Sequence, residues 1–303
     1  MALPYYASAS EKAVYYTWRV FCGFVFVFLI APILIVIPLS FNAEPYFTFT
    51  EKMLSFDPEG YPLRWYDNIL THGMQNAQAA RDGAWWSDAW NNAAWIKAAK
   101  SSVIIGFFAT ILATALGTLA ALGLSQSQMP WRRPIMAILI SPMIVPIIIT
   151  ATGLYFFYAK VGLSATYPGV IMAHATLGIP FVIITVTATL VGFDHSLTRA
   201  ASSLGASPST AFFKVTMPLI LPGVVSGALF AFVTSFDEVV VVLFVAGFDQ
   251  QTIPRQMWNG IREAISPTIL SAATILVFVS IGLLTTVEML RRRSEKLRGL
   301  TPN

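Results

Sequence analysis

The chain has 303 residues, of which 56% are apolar, 13% aromatic and only 11% charged, with a formal charge of +4 and one cysteine, Cys22. Soluble domains carry about 25% charged residues, so this composition excludes an ordinary aqueous fold and points to lipid as the solvent. A lone thiol excludes an internal disulfide or a cysteine metal site, and a small net charge on so few ionic groups makes no case for nucleic acid.

A helix crosses a bilayer with about 20 mostly apolar residues. Charges are absent from 20–43, 101–131, 134–159, 161–193, 215–236 and 264–287. These runs predict six spans, at 20–41, 101–124, 134–159, 168–192, 219–246 and 268–290, in an all-α polytopic membrane protein. The first run is longer than a signal-peptide core and no small-x-small cleavage site follows it, so it reads as an uncleaved anchor. Pro32 and Pro38 are expected to bend or end it. The loop 42–94 carries Trp65, Trp85, Trp86 and Trp90, with Trp95 just beyond. Tryptophan favours membrane interfaces, so Trp85–Trp95 reads either as a helix lying on the outer leaflet or as a docking surface.

Further along, Ser141-Pro142 and Pro146 are expected to kink the third span. Tyr155, Phe156, Phe157 and Tyr158 suit a cation-facing wall and an interfacial belt equally, and take no role. His174 lies mid-span near Gly178 and Pro180, either packed against a neighbouring carbonyl or beside a cavity where a broken helix exposes its backbone. In the fifth span Phe236 precedes Asp237 and Glu238. An ionised carboxylate at membrane depth costs about 2.5–3.5 kcal/mol on insertion scales, so it should face a cavity or a partner. On a continuous helix the two acids would stand about 100° apart and could flank one groove. One reading is a negative site for an organic cation; the other is an ion pair or helix cap at a neighbouring subunit.

Eleven of the 19 Lys and Arg residues fall in 1–19, 125–133, 193–214 and 291–303, the densest group being Arg291-Arg292-Arg293. Basic residues accumulate on the cytoplasmic side, which predicts both termini and the 193–218 loop inside, and 42–94 outside. No phosphate-cradling G-x-x-x-x-G-K-[ST] occurs, nor H-E-x-x-H, nor G-x-S-x-G. With three histidines, His72, His174 and His195, no metal centre or catalytic cluster is expected. An energy source must come from a partner or an ion gradient.

The 193–218 loop has apolar order. An Ala- and Leu-rich helical segment containing Arg199, Ala200, Ala201 and Leu204 ends at Gly205, where a left-handed cap costs least. After Ala206, Ser207 and Pro208 open a second short helix as N-cap and first-turn residue, and Pro218 begins the next span. The result is a thin helix–turn–helix knob. Its spacing resembles the permease subunits of type I ABC importers, marked by Glu-Ala-Ala, three residues, Gly, nine residues, Ile, one residue, Leu-Pro. Ala200-Ala201, Gly205 and Pro218 match, Val215 and Met217 are conservative replacements, and Arg199 stands where the pattern has Glu. Ser235-Phe236-Asp237-Glu238 and Ile265-Ser266-Pro267 resemble the spermidine/putrescine-type branch. The similarity covers about 95–290, and 42–94 match no pattern recognised.

The resemblance implies an importer permease, not an enzyme, working with a second permease, two ATPase subunits that hold ATP and Mg, and a periplasmic binding protein. The knob, from Arg199 through Ala200, Ala201, Leu204, Gly205, Ala206 and Pro208 to Pro218, would couple to the ATPase. Arg199 shifts the expected docking from a salt bridge to shape. Phe236, Asp237 and Glu238 would line the path of a polyamine. The same class serves opines, aminoalkylphosphonates and other amino compounds, and that choice stays open. An ion-gradient carrier would predict weak repeats in the two halves; none is visible, and it leaves the knob unexplained.

Overall fold

The computed structural model describes residues 6, 8–126, 128–194, 196–263 and 265–297, and among these the regular structure is helical throughout. His195 and Arg298 lie outside the described residues. The chain opens with α1 (Ala9–Leu39), α2 (Glu51–Leu54) and α3 (Arg64–Thr71), followed by α4 (Gly83–Asn92) and α5 (Ala94–Ser125). Next come α6 (Arg132–Ile144), α7 (Ile147–Val161) and α8 (Tyr167–Val191), then the short α9 (Ser196–Ser203) and α10 (Pro208–Ala211). It ends with α11 (Met217–Phe236), α12 (Val240–Val245), α13 (Ile253–Glu263) and α14 (Thr268–Leu297).

Among the described residues, α1, α5, α8 and the run Pro208–Phe236 are long and apolar enough to cross a membrane. The expected third span is two helices, α6 and α7, bent by 102°. The break falls at Val145-Pro146 and not at Pro142, which lies inside α6. Pro146 has no N–H and pushes the preceding residue out of the helical region, and Val145 is accordingly extended (φ −69°, ψ 135°). The expected fifth span, 219–246, is likewise interrupted after Phe236. The apolar helix described in the last expected span is Thr268–Gly282.

Two compact units make up the chain, one of residues 1–72 and 260–303 and one of residues 73–259. In the first, Ser8 and Glu11 form a reciprocal capping box at the start of α1. That helix passes through Pro32 and ends at Leu39, directly after Pro38, and Leu39 is its one buried residue. Its apolar side chains have no interior to enter, as expected of a helix solvated by lipid or by other subunits. Beyond its end a polar latch closes the unit. Buried Ser40 pairs its hydroxyl with Tyr66 Oη at 2.7 Å, and its carbonyl accepts from Ser271 Oγ at 2.9 Å. Trp65 Nε1 donates to Asn42 O at 2.6 Å.

The second unit is built on α5, α8 and α11. Their contact faces carry small residues, among them Ala109, Ala113, Ala121, Ala175 and Ala231, packed with Val182, Val186 and Ile220. A methyl group at Gly117 would lie 2.6 Å from Val182 Cβ, and one at Gly178 2.9 Å from Ala231 Cβ. Close approach matters in a bilayer, where helix association rests on packing contacts rather than on water exclusion. It also explains why α8 runs unbroken through Pro180: surrounding helices stabilise a proline-containing turn that water would fray. A second apolar cluster joins α12 to α7 and α8 through Val241, Val242, Val245, Ala151, Tyr158, Val170 and Ala173.

Candidate functional site

Two features of the second unit carry the chemistry expected from the sequence. The first is the knob. Helix α9 ends in a Schellman turn, in which Ala206 N–H bonds Ala201 O at 3.0 Å and Gly205 N–H bonds Ser202 O at 3.0 Å. Gly205 adopts φ +84°, with open space where a Cβ would stand. Ser207 caps α10, its Oγ accepting from Thr210 N–H at 3.3 Å, with Pro208 in the first turn. The chain then passes through a π-type turn, Phe212–Thr216, into α11 at Met217-Pro218.

The knob projects its apolar side chains outward. Leu204 is 89% exposed and Phe213 67%. Arg199, Ala200, Gly205, Pro208 and Pro218 are exposed, while Ala201 and Ala206 are half-buried. A polar loop would fold such side chains in or lack them, and bulky apolar groups left in the open are a feature of surfaces that partners cover. The sequence reading included Leu204 but missed Phe213. The available signal was a bulky aromatic pair, Phe212-Phe213, inside a short connecting segment.

The second feature is the interruption between α11 and α12. Asp237 N–H still bonds Val233 O at 3.0 Å, but the ladder stops there. The carboxylate of Glu238 accepts Val241 N–H at 2.9 Å, with the amides of Val240 and Val239 also directed to it. An acidic group bound to the free amides at a helix start satisfies orphan donors and complements the helix dipole. Glu238 is buried by this role (8% exposed). The two acids, expected about 100° apart on a continuous helix, stand at a break between two helices: Glu238 turns inward as a cap and Asp237 is exposed. Asp237 has no hydrogen bond or ion pair through its side chain among the described residues. Phe236 stacks on Phe232 with ring centroids 5.5 Å apart.

His174 is fully buried in α8 and reaches the last turn of α11, its Nδ1 lying 2.8 Å from Ser235 Oγ and 3.1 Å from Ser235 O. Its Nε2 has no partner among the described residues. It acts as a strut beside the interruption, and nothing in the order of residues marks Ser235 as its partner. No group of three or more His, Cys, Asp or Glu side chains able to hold a metal occurs among the described residues.

Membrane-crossing helices, a capped knob between two of them and a span broken at an exposed acid define a membrane transport subunit. Residues 113–296 match the family described as binding-protein-dependent transport system inner membrane component, and the chain belongs to that family. It is accordingly a permease subunit of an ABC importer, and not an enzyme. Among similar proteins, the spermidine/putrescine transport system permease protein PotC of Haemophilus influenzae is 31% identical over 270 residues, covering 89% of this chain and 94% of that protein. The putrescine transport system permease protein PotI of Escherichia coli is 27% identical over 284 residues, covering 91% of each chain. A solved chain from a bacterial ABC transporter involved in import of the acidic polysaccharide alginate shares the fold, with a TM-score of 0.66 at 16% identity over 96% of this chain and 99% of that one.

Proposed function

We propose that this chain forms half of the translocation pathway of a polyamine importer, with six crossings, both termini in the cytoplasm and Asp237 exposed to the path. A second permease subunit would complete the pathway. Two ATPase subunits, holding ATP and Mg, would seat the 199–218 knob, and a periplasmic binding protein would deliver the cation. The observation that supports this most directly is the unpaired, exposed Asp237 at an interrupted span. A carboxylate at such depth is costly unless water or a cation reaches it, and the similar permeases are named for spermidine and putrescine.

The mechanism follows from the parts. Closure of the ATPase pair on ATP pulls on Leu204 and the knob, and α11 carries that displacement to its end at Phe236. There Asp237 meets the ammonium groups of the incoming cation, while Glu238 holds the start of α12. Labelled putrescine uptake into proteoliposomes containing the assembled complex tests the reading. Uptake is expected to require ATP and to survive an uncoupler. Uptake that continues without ATP and collapses with the uncoupler would overturn it.

A further inference from the structure

A cavity of about 490 Å³ opens at the N-terminal end of α5, bounded by the 73–92 segment and the turn at 248–251. Lys97 and Lys100, three residues apart on α5, both stand on its wall. The Lys100 ammonium donates to Trp90 O at 2.6 Å and lies 4.7 Å from the Trp90 ring centroid. Lys97 is exposed and its ammonium has no hydrogen bond or ion pair among the described residues. Asp249 is the one acidic residue on the wall, so the cavity holds one positive charge in excess. That sign repels a polyamine and favours an anion.

Its depth identifies the anion. The uncharged run of α5 begins at Ser101, directly after Lys100, so both ammonium groups stand where apolar helix gives way to water. Trp90, 60% exposed and in contact with the Lys100 ammonium, stands at the same level. From Lys100 the exposed face continues at spacings of three and four residues through Ile104, which lines the cavity, then Phe107, Phe108 and Ile111. Ile104 is 40% exposed and Phe108 51%. Two ammonium groups therefore stand at the head of an apolar lane that runs into the bilayer. A free phosphate has no use for the lane, and an acidic protein side chain would not extend along it.

We infer that this cavity seats the phosphodiester of a membrane phospholipid between Lys97 and Lys100, with an acyl chain along Ile104, Phe108 and Ile111. The inference needs α5 to cross the membrane but does not depend on the transported substrate. Native mass spectrometry of the full-length protein titrated with phosphatidylglycerol tests it without any transport readout. Lys97→Gln and Lys100→Gln should each weaken lipid retention about fivefold, the worth of one basic residue at an anionic surface. Lys97→Arg and Lys100→Arg should restore it, Phe108→Asn should weaken it with the charges intact, and Lys160→Gln, an exposed lysine on α7, should leave it unchanged. Unaltered retention in both glutamine variants would overturn the inference, as would an equal loss in Lys160→Gln. Displacement of the lipid by millimolar glycerol phosphate would make the site one for soluble anions. Lipid retention unchanged while the glutamine variants lose a soluble acidic partner would make it a protein-docking site. Either result refutes the lipid assignment.

Discussion

At the scale of single residues, two neighbouring carboxylates have been assigned different tasks. On the proposed reading, Asp237→Asn removes the charge that would contact the cation, a charge-assisted contact worth about 1.5–3 kcal/mol. Putrescine uptake at subsaturating concentration should fall about tenfold or more, with subunit assembly unchanged by size exclusion. Glu238→Gln leaves an acceptor for Val241 N–H but removes the charge of the cap, worth about 0.3–1 kcal/mol at a helix start. It should lower the thermal unfolding midpoint in detergent and affect uptake less than Asp237→Asn. The acids themselves were legible as intramembrane charges, but their division of labour was not. It depends on where α11 stops, and that follows from the amides of Val239–Val241 turning to Glu238, a choice that residue order alone does not encode. Asp88 supplies a pH test outside the spans. Hydrogen bonds from the Asn92 side chain and the Asn76 amide hold its carboxyl below the usual carboxylate range. Whatever order it gives to the 73–82 segment is therefore present at neutral pH and is lost as pH falls through that lowered value. The protection factor of the Asn76 amide, taken against its intrinsic exchange rate at each pH, should fall in acid, and Asp88→Asn should abolish that pH dependence.

At the scale of elements, the knob can be separated from the spans on either side. Leu204→Ser should reduce ATP-dependent uptake strongly while membrane insertion, followed by protease protection, stays normal, because a side chain 89% exposed contributes little to the chain's own packing. A Cβ at position 205 meets no neighbouring atom, but Gly205→Val must adopt φ +84°, at a cost of roughly 1–2 kcal/mol. It should redirect the turn and leave ATP hydrolysis running without uptake. The knob was readable because caps are local: Ser207, Pro208 and Gly205 declare themselves within a few residues. Spans were readable as apolar runs, but their interruptions were less so. Pro146 breaks the third span and Pro142 does not, since one sits at the junction of α6 with α7 and the other within a turn that α6 tolerates. The π-type turn at Phe212–Thr216 had no counterpart in the sequence reading, because a one-residue change in helical repeat leaves the apolar pattern almost unaltered.

At the scale of the whole molecule, lipid as solvent was legible from charge fraction and run length alone, and the family followed from the knob's spacing. The pairing of α5, α8 and α11 was not, because it rests on small residues scattered among many others, at positions such as Gly117 and Gly178. Orientation is open to a direct check in a Cys22→Ser background. A cysteine at Ser202 should react with an impermeant maleimide only in inside-out vesicles, and one at Ser87 only in intact spheroplasts. Exchange of the two patterns would reverse the proposed topology, and reaction of both from the same side would refute it.

The interruption at residues 237–239 has a mechanical consequence. On its far side α12 is bolted down: Arg255 Nη1 donates to Val242 O at 3.1 Å and Ala246 O at 3.0 Å, and Ala165 N–H bonds Val245 O at 2.9 Å. On its near side α11 runs back continuously to the π-type turn and the knob. A continuous helix would pass torque from end to end, whereas here the helical ladder is interrupted for three residues between α11 and α12. If the knob transmits ATPase closure as proposed, its displacement would reach α12 only through residues 237–239, with the exposed Asp237 carboxylate at that elbow.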